Sequence, residues 1–187
     1  MNTQKNQILL KSIKLIDPKT NSERICDVLM SNKKIFSIND INSTDYNKLN
    51  TVIYDCNNLV MSPGFIDSRV YLNSSDEEDI NTLLDVAAQS GVLKFIITPN
   101  QLNYLDSPIK IEHLYERSKK ELMPELFSFG AGTKNLEGLQ IPELGLMSEA
   151  GVIGFTDGIN CIQDSLVMRR IMSYSKMFNK PVLQHPE

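Results

Sequence analysis

A histidine and an aspartate stand out in this 187-residue chain, each at the end of a short apolar run: Asp157 in Gly154-Phe155-Thr156-Asp157-Gly158, and His185 in Pro181-Val182-Leu183-Gln184-His185. Imidazole and carboxylate side chains can ligate zinc or carry a proton. One of each is too few for a metal-activated water, which takes about three protein ligands and an open position. A third run ends in Arg69-Val70-Tyr71-Leu72-Asn73, and a fourth in Thr98-Pro99-Asn100. In a strand, alternation places Arg69, Tyr71 and Asn73 on one face, with Asp67 before them. None of the three is a good zinc ligand. Arg69 is protonated at any usable pH and has no lone pair to give. It would also set a positive charge where a dication would sit. Tyr71 offers a phenol that ionises only near pH 10. Each candidate also has a structural reading: His185 as a hydrogen-bonded strand-end histidine, Asn100 as a turn residue, and His113 as a helix-surface histidine. The run Asp76-Glu77-Glu78-Asp79 suits the first turn of a helix, where acidic side chains are favoured.

These residues need elements to hold them. Before residue 63 the pattern is short and strand-like. Ile8 and Leu10, then Ile13 and Leu15, alternate up to a turn at Asp17-Pro18, and Ile25–Met30 and Lys34–Ile38 follow around a turn at Asn32-Lys33. Three such strands with polar turns predict a β-meander. Val52–Asp55 and Leu59–Met61 are further short strands. After Pro63-Gly64, apolar strands alternate with amphipathic helices. Strands are predicted at 65–72, 92–98, 125–131, 152–156 and 181–185. Between them lie helices carrying Ile80, Leu83, Leu84, Ala87 and Ala88; Ile111, Leu114, Tyr115 and Ser118; residues 141–150; and Val167, Ile171, Tyr174 and Phe178. Pro108 fits a first helical turn, and Asp164 or Ser165 a cap. Repeated β-α units imply a parallel sheet with right-handed crossovers, either open and doubly wound or a (β/α)8 barrel. No Gly-rich phosphate loop follows a strand, which weakens a nucleotide-binding reading. In a barrel, chemistry sits at the C-terminal strand ends, where the candidates above lie.

Composition sets outer limits. The chain is 41% hydrophobic and 22% charged with a net charge of −4, an ordinary globular make-up without the basic patch expected for nucleic-acid binding. No apolar run approaches the roughly 18 residues of a membrane span, and the first residues lack the pattern of a secretory signal. Three scattered cysteines (Cys26, Cys56, Cys161) without metal spacing read as reduced thiols. The expected location is cytoplasmic, with no nucleic-acid or membrane partner.

Several ordered segments resemble the dihydroorotase family of the amidohydrolase superfamily, with its allantoinase and hydantoinase relatives. They are Ile13-Lys14-Leu15-Ile16-Asp17-Pro18, Leu59-Val60-Met61-Ser62-Pro63-Gly64-Phe65-Ile66-Asp67, Thr98-Pro99-Asn100, Asp106-Ser107-Pro108, Gly154-Phe155-Thr156-Asp157, Gln163-Asp164-Ser165 and Pro181-Val182-Leu183-Gln184-His185. The resemblance implies an N-terminal β-sandwich segment over 1–62. Over 63–187 it implies an incomplete TIM (β/α)8 barrel of the metal-dependent hydrolase type, comprising its first five β-α units. In the family, G-F-x-D is followed by x-H-x-H-x-R, whose histidines bind zinc and whose arginine holds the substrate carboxylate. Here Arg69, Tyr71 and Asn73 occupy those positions. His185 and Asp157 match vestigial metal-ligand positions, and Asn100 a substrate-contacting one. Gly158 departs from the family's frequent second Asp, which puts the carry-over of Asp157 in doubt.

The resemblance therefore implies a dihydroorotase homologue of pyrimidine biosynthesis without hydrolytic activity. Like the non-catalytic bacterial homologues, it would act as a scaffold for aspartate carbamoyltransferase, bind no cofactor and form a homo-oligomer. The alternative is an active cyclic-amide hydrolase of dihydroorotase, allantoinase or hydantoinase type, with zinc around His185. A third reading is a nonfunctional gene fragment.

Overall fold

The computed structural model describes residues 7–39, 41–42, 45–72, 77–118 and 124–186, without the side chains of 77–79. The chain divides into two units, Met1–Pro63 and Gly64–Glu187.

The first unit is one five-stranded sheet. Strands β1 (Gln7–Asp17), β2 (Ser22–Ser31) and β3 (Lys34–Asn39) form the expected antiparallel meander. Strands β4 (Thr51–Asp55) and β5 (Val60–Met61) both run parallel to β1. The β2–β3 turn places Asn32 and Lys33 at φ 49° and 62°, the left-handed pair that matches the twist of a hairpin. The change of phase between Ile8/Leu10 and Ile13/Leu15 has a structural cause. The β1–β2 register shifts between Leu10 and Ile13, with Ser12 at φ 57° and its N–H donating to Asp27 Oδ1 at 2.9 Å. This is a β-bulge, which re-aims the side chains that follow it. Ile13, Cys26, Val28 and Cys56 form one buried cluster, and Leu9, Leu29 and Ile41 another. All described strands of this unit belong to a single sheet, where two layers are expected of a sandwich.

The second unit alternates strand and helix: β6 (Phe65–Val70), α1 (Glu77–Gln89), β7 (Val92–Ile97), α2 (Pro108–Arg117), β8 (Glu125–Ser128), α3 (Leu144–Glu149) and α4 (Ser165–Met177). Strands β6, β7 and β8 are parallel neighbours in that order. The fourth and fifth strands are shorter than their apolar runs predict, each reduced to single bridges: Gly130 with Phe155, and Phe155 with Val182. Parallel pairing nevertheless continues. Ile153 N–H donates to Ser128 O, Thr156 N–H to Gly130 O and Leu183 N–H to Phe155 O, each at 2.9 Å. Close approach is possible because Gly154 has no side chain; a Cβ there would lie 2.8 Å from Pro181 O.

The helices cover one face of this sheet. Ile80 and Leu84 of α1, Ile111 and Leu114 of α2, Met147 of α3 and Val167 and Ile171 of α4 pack with Phe95, Ile97 and Phe155 in one core. Each such large side chain contributes about 1.5–3 kcal/mol through burial. Ala88 and Tyr174, expected on the inner helix faces, are exposed; the Tyr174 ring instead makes an edge contact with Phe178 at 5.3 Å. Pro108 opens α2, and the Asp164 carboxylate caps α4 by accepting from Leu166 N–H at 2.7 Å. Among the described residues, no helix is long and apolar enough to cross a membrane.

Candidate functional site

The core packs Ile97 and Phe155 against the helices, so their neighbours along the strands face the other way. Val70 is in register with Ile97, and Ile97 with Ser128. Arg69, Thr98 and Phe129 therefore share the face opposite the helices, as do Thr156 and Leu183 beside Phe155 and Val182. They line a cavity of about 280 Å³ at the C-terminal strand ends, together with Gln184 and His185.

Within it, Arg69 is held by its own strand. Its Nε donates to the Tyr71 hydroxyl at 2.6 Å, and its guanidinium lies 5.5 Å from the Tyr71 ring centre. The Asp67 carboxylate accepts from the Arg69 backbone N–H at 3.1 Å. Thr98 is 4% exposed and its Oγ1 has no hydrogen-bond partner. His185 is half-buried, with Nδ1 2.9 Å from Pro186 O. The Gln184 amide Nε2 donates to Cys161 Sγ at 2.8 Å.

Asp157 lines a separate cavity of about 260 Å³, with Tyr71, Pro99 and Asn100. It is 2% exposed. Its Oδ1 accepts from Gly132 N–H at 2.9 Å and Thr133 N–H at 2.8 Å, and its Oδ2 from the Thr133 hydroxyl. Burial raises its pKa above the usual carboxylate value despite these donors, because desolvation penalises the charged form more than the bonds favour it. The neighbouring Gly158 has φ +67°, and a Cβ there would sit 2.4 Å from Pro99 O. A second Asp at this position is thus barred by backbone conformation and by space.

The Asn100 side chain closes a turn. Its Oδ1 accepts from Leu102 and Asn103 N–H at 2.9 and 2.8 Å, and its Nδ2 donates to Leu72 O at 2.8 Å. Asp106 ties the loop before α2 to residue 135. Burial pushes its pKa up, but the Lys110 ammonium (2.6 Å) and Asn135 N–H (3.0 Å) outweigh this and hold it below the usual value. His113 is exposed on α2, and Arg169 and Arg170 are exposed on α4. Asn73 and Asp76 lie outside the described residues.

Among the candidates read from sequence, Arg69 and His185 thus share one cavity, while Tyr71, Asn100 and Asp157 line the other. Sequence reasoning missed Thr98. Its place at a strand end was visible, but an orphaned hydroxyl is a property of its surroundings. Among the described residues, no three His, Cys, Asp or Glu side chains converge on a common point.

No family model matches the chain. It is 29% identical over 186 residues to a dihydroorotase of Endomicrobium trichonymphae, covering 97% of this chain and 42% of that protein. It is also 29% identical to a dihydroorotase of Aquifex aeolicus, covering 97% of this chain and 43% of that one. The chain therefore spans less than half the length of these relatives. Among solved structures, it superposes on a D-hydantoinase from Thermus sp. with TM-score 0.69 and 17% identity, covering 96% of this chain and 40% of the other. An L-hydantoinase from Arthrobacter aurescens gives TM-score 0.66 at 16% identity, covering 94% and 39%. At these identities the structural likeness speaks for fold alone. Along nearly its whole length the chain is thus similar in sequence to dihydroorotases, and its α/β fold is similar to that of the hydantoinases.

Proposed function

We propose that this chain is the N-terminal portion of a dihydroorotase homologue that has lost zinc-dependent hydrolysis and serves as a scaffold for aspartate carbamoyltransferase in cytoplasmic pyrimidine biosynthesis. The observation that carries the loss of chemistry is the Arg69–Tyr71 pair. Where the family's two histidines would stand, a guanidinium and a phenol hydrogen-bond to each other at 2.6 Å. Arg69 would repel the dication, and Tyr71 gives its lone pair to Arg69. Asp157 accepts from three donors, which further lowers its value as a ligand.

The parallel β-α order supports an incomplete barrel, which later strands of a longer protein would close. Phe65, Ile66 and Leu93 are more than half exposed, the kind of apolar strand surface that closure covers. By the same reading, the N-terminal sheet is one layer of a sandwich. The scaffold role rests on the retained architecture and on the likeness to dihydroorotases.

Zinc content and dihydroorotate turnover of the purified full-length protein test the loss of chemistry, and co-elution with aspartate carbamoyltransferase tests the partner. The expected result is no bound zinc, no turnover and a stable complex. Stoichiometric zinc with normal turnover overturns the reading in favour of an active hydrolase, and His185→Ala should then abolish activity.

A further inference from the structure

We propose that the outward groove along α4 docks a protein partner that presents an acidic amphipathic helix. Leu166, Arg170, Tyr174 and Met177 recur at helical spacing and form one stripe of α4. With Arg169 and Ser173 they line an open groove of about 440 Å³. The core lies on another side of the helix, where Val167, Ile171 and Ser175 are buried. The outward stripe is nonetheless apolar in part: Leu166 is 51% and Met177 74% exposed. Tyr174 places the groove on the flank toward α3, since a Cβ on Gly145 would lie 3.2 Å from its Oη. The fifth strand pairs with the fourth on the side away from β8. A further β-α unit would therefore pack on the opposite flank of α4 and leave this groove open.

Charge identifies the occupant. From Ser165 to Lys180 the chain carries Arg169, Arg170, Lys176 and Lys180 and no acidic residue, although its net charge is −4. Among the described residues, none of these cations forms an ion pair. The preceding acid, Asp164, is engaged in capping, its Oδ1 accepting from Leu166 and Val167 N–H. A complementary surface brings carboxylates beside apolar side chains at helical spacing, as in helix-in-groove recognition. A lipid surface fits less well. An interfacial helix keeps its apolar face apart from its charges. Here the apolar face of α4 is spent on the core, and both arginines share the groove with Leu166 and Met177.

The inference rests neither on the loss of zinc chemistry nor on the partner proposed above, and its test reads neither zinc nor turnover. The probe is a fluorescent helical peptide of about three heptads, with leucines along one stripe and glutamates beside it. Its binding to the full chain is followed by fluorescence anisotropy. Two controls accompany it: the same peptide with lysine for every glutamate, and an isomer with the leucines dispersed around the helix. The acidic amphipathic peptide should bind saturably and both controls at least about tenfold more weakly. Raising NaCl from about 50 to 500 mM should weaken it severalfold. Arg169→Glu with Arg170→Glu should weaken it at least about tenfold, and the two Gln changes less, because charge is removed but not reversed. Leu166→Ser with Met177→Ser should weaken it about threefold or more. Circular dichroism checks that each variant is folded, and the Gln pair carries the test if the Glu pair is not. Equal binding of either control, or unchanged binding in the arginine variants, overturns the proposal. So does tighter binding to phosphatidylglycerol vesicles that the arginine variants lose, which would assign the groove to a lipid surface. Self-association in sedimentation that the same variants abolish would assign it to a second copy and also overturns the proposal.

Discussion

The tips of β6 and of the fourth strand offer a contrast. At the β6 tip the side chains are of the wrong type for metal, yet Arg69 faces a cavity. At the other tip Asp157 is of the right type, yet it is 2% exposed and accepts three hydrogen bonds from residues 132 and 133. Keeping a ligand-type residue is therefore not the same as keeping a ligand. What matters is whether its lone pairs point at space or at donors.

This contrast predicts that the fourth-strand tip is structural. Asp157→Ala, which strands three donors, should cost about 3–5 kcal/mol in urea unfolding. A cost below about 1 kcal/mol would break the comparison. Gly158→Ala should cost about 2–3 kcal/mol, since its Cβ meets Pro99 O at 2.4 Å and its φ of +67° disfavours side chains.

A pH series sharpens the same point. Burial raises the folded-state pKa of Asp157, so the folded chain holds this proton more tightly than the unfolded chain. Its contribution to stability is fully present below the ordinary value of 3.8 and is lost as pH rises through the folded-state value. Unfolding free energies of the chain and of Asp157→Asn, measured from pH 3 upward, should diverge in that direction. A difference that does not change with pH would count against it.

Effects at the other tip should be small. Thr98→Val should leave stability unchanged or raise it by up to about 1 kcal/mol, because the hydroxyl it removes has no partner. Arg69→Gln should stay within about 0.5 kcal/mol, as expected for an exposed side chain. A large loss in either variant would make that tip structural as well.

Much of the architecture was legible. Pro108 opened α2 and Asp164 capped α4 as expected, because each is a local effect of a side chain on its own turn, whereas the near alternation in β1 did not by itself predict the bulge. The fourth and fifth strands were over-read, since an apolar run records burial and not the length of a ladder. The partition of the candidates between two cavities could not be read at all.

The sequence by itself determined that Arg69 carries a guanidinium with no lone pair to give and Tyr71 a phenol that ionises only near pH 10. That follows from ionisation and lone pairs, which no fold supplies to a guanidinium. Only the tertiary structure decided that Asp157 is spent on Thr133, some 24 residues earlier, and that Thr98 lacks a partner beside Arg69. Hydrogen-bond satisfaction is a property of neighbours in space, and those neighbours are fixed only when the strands pack.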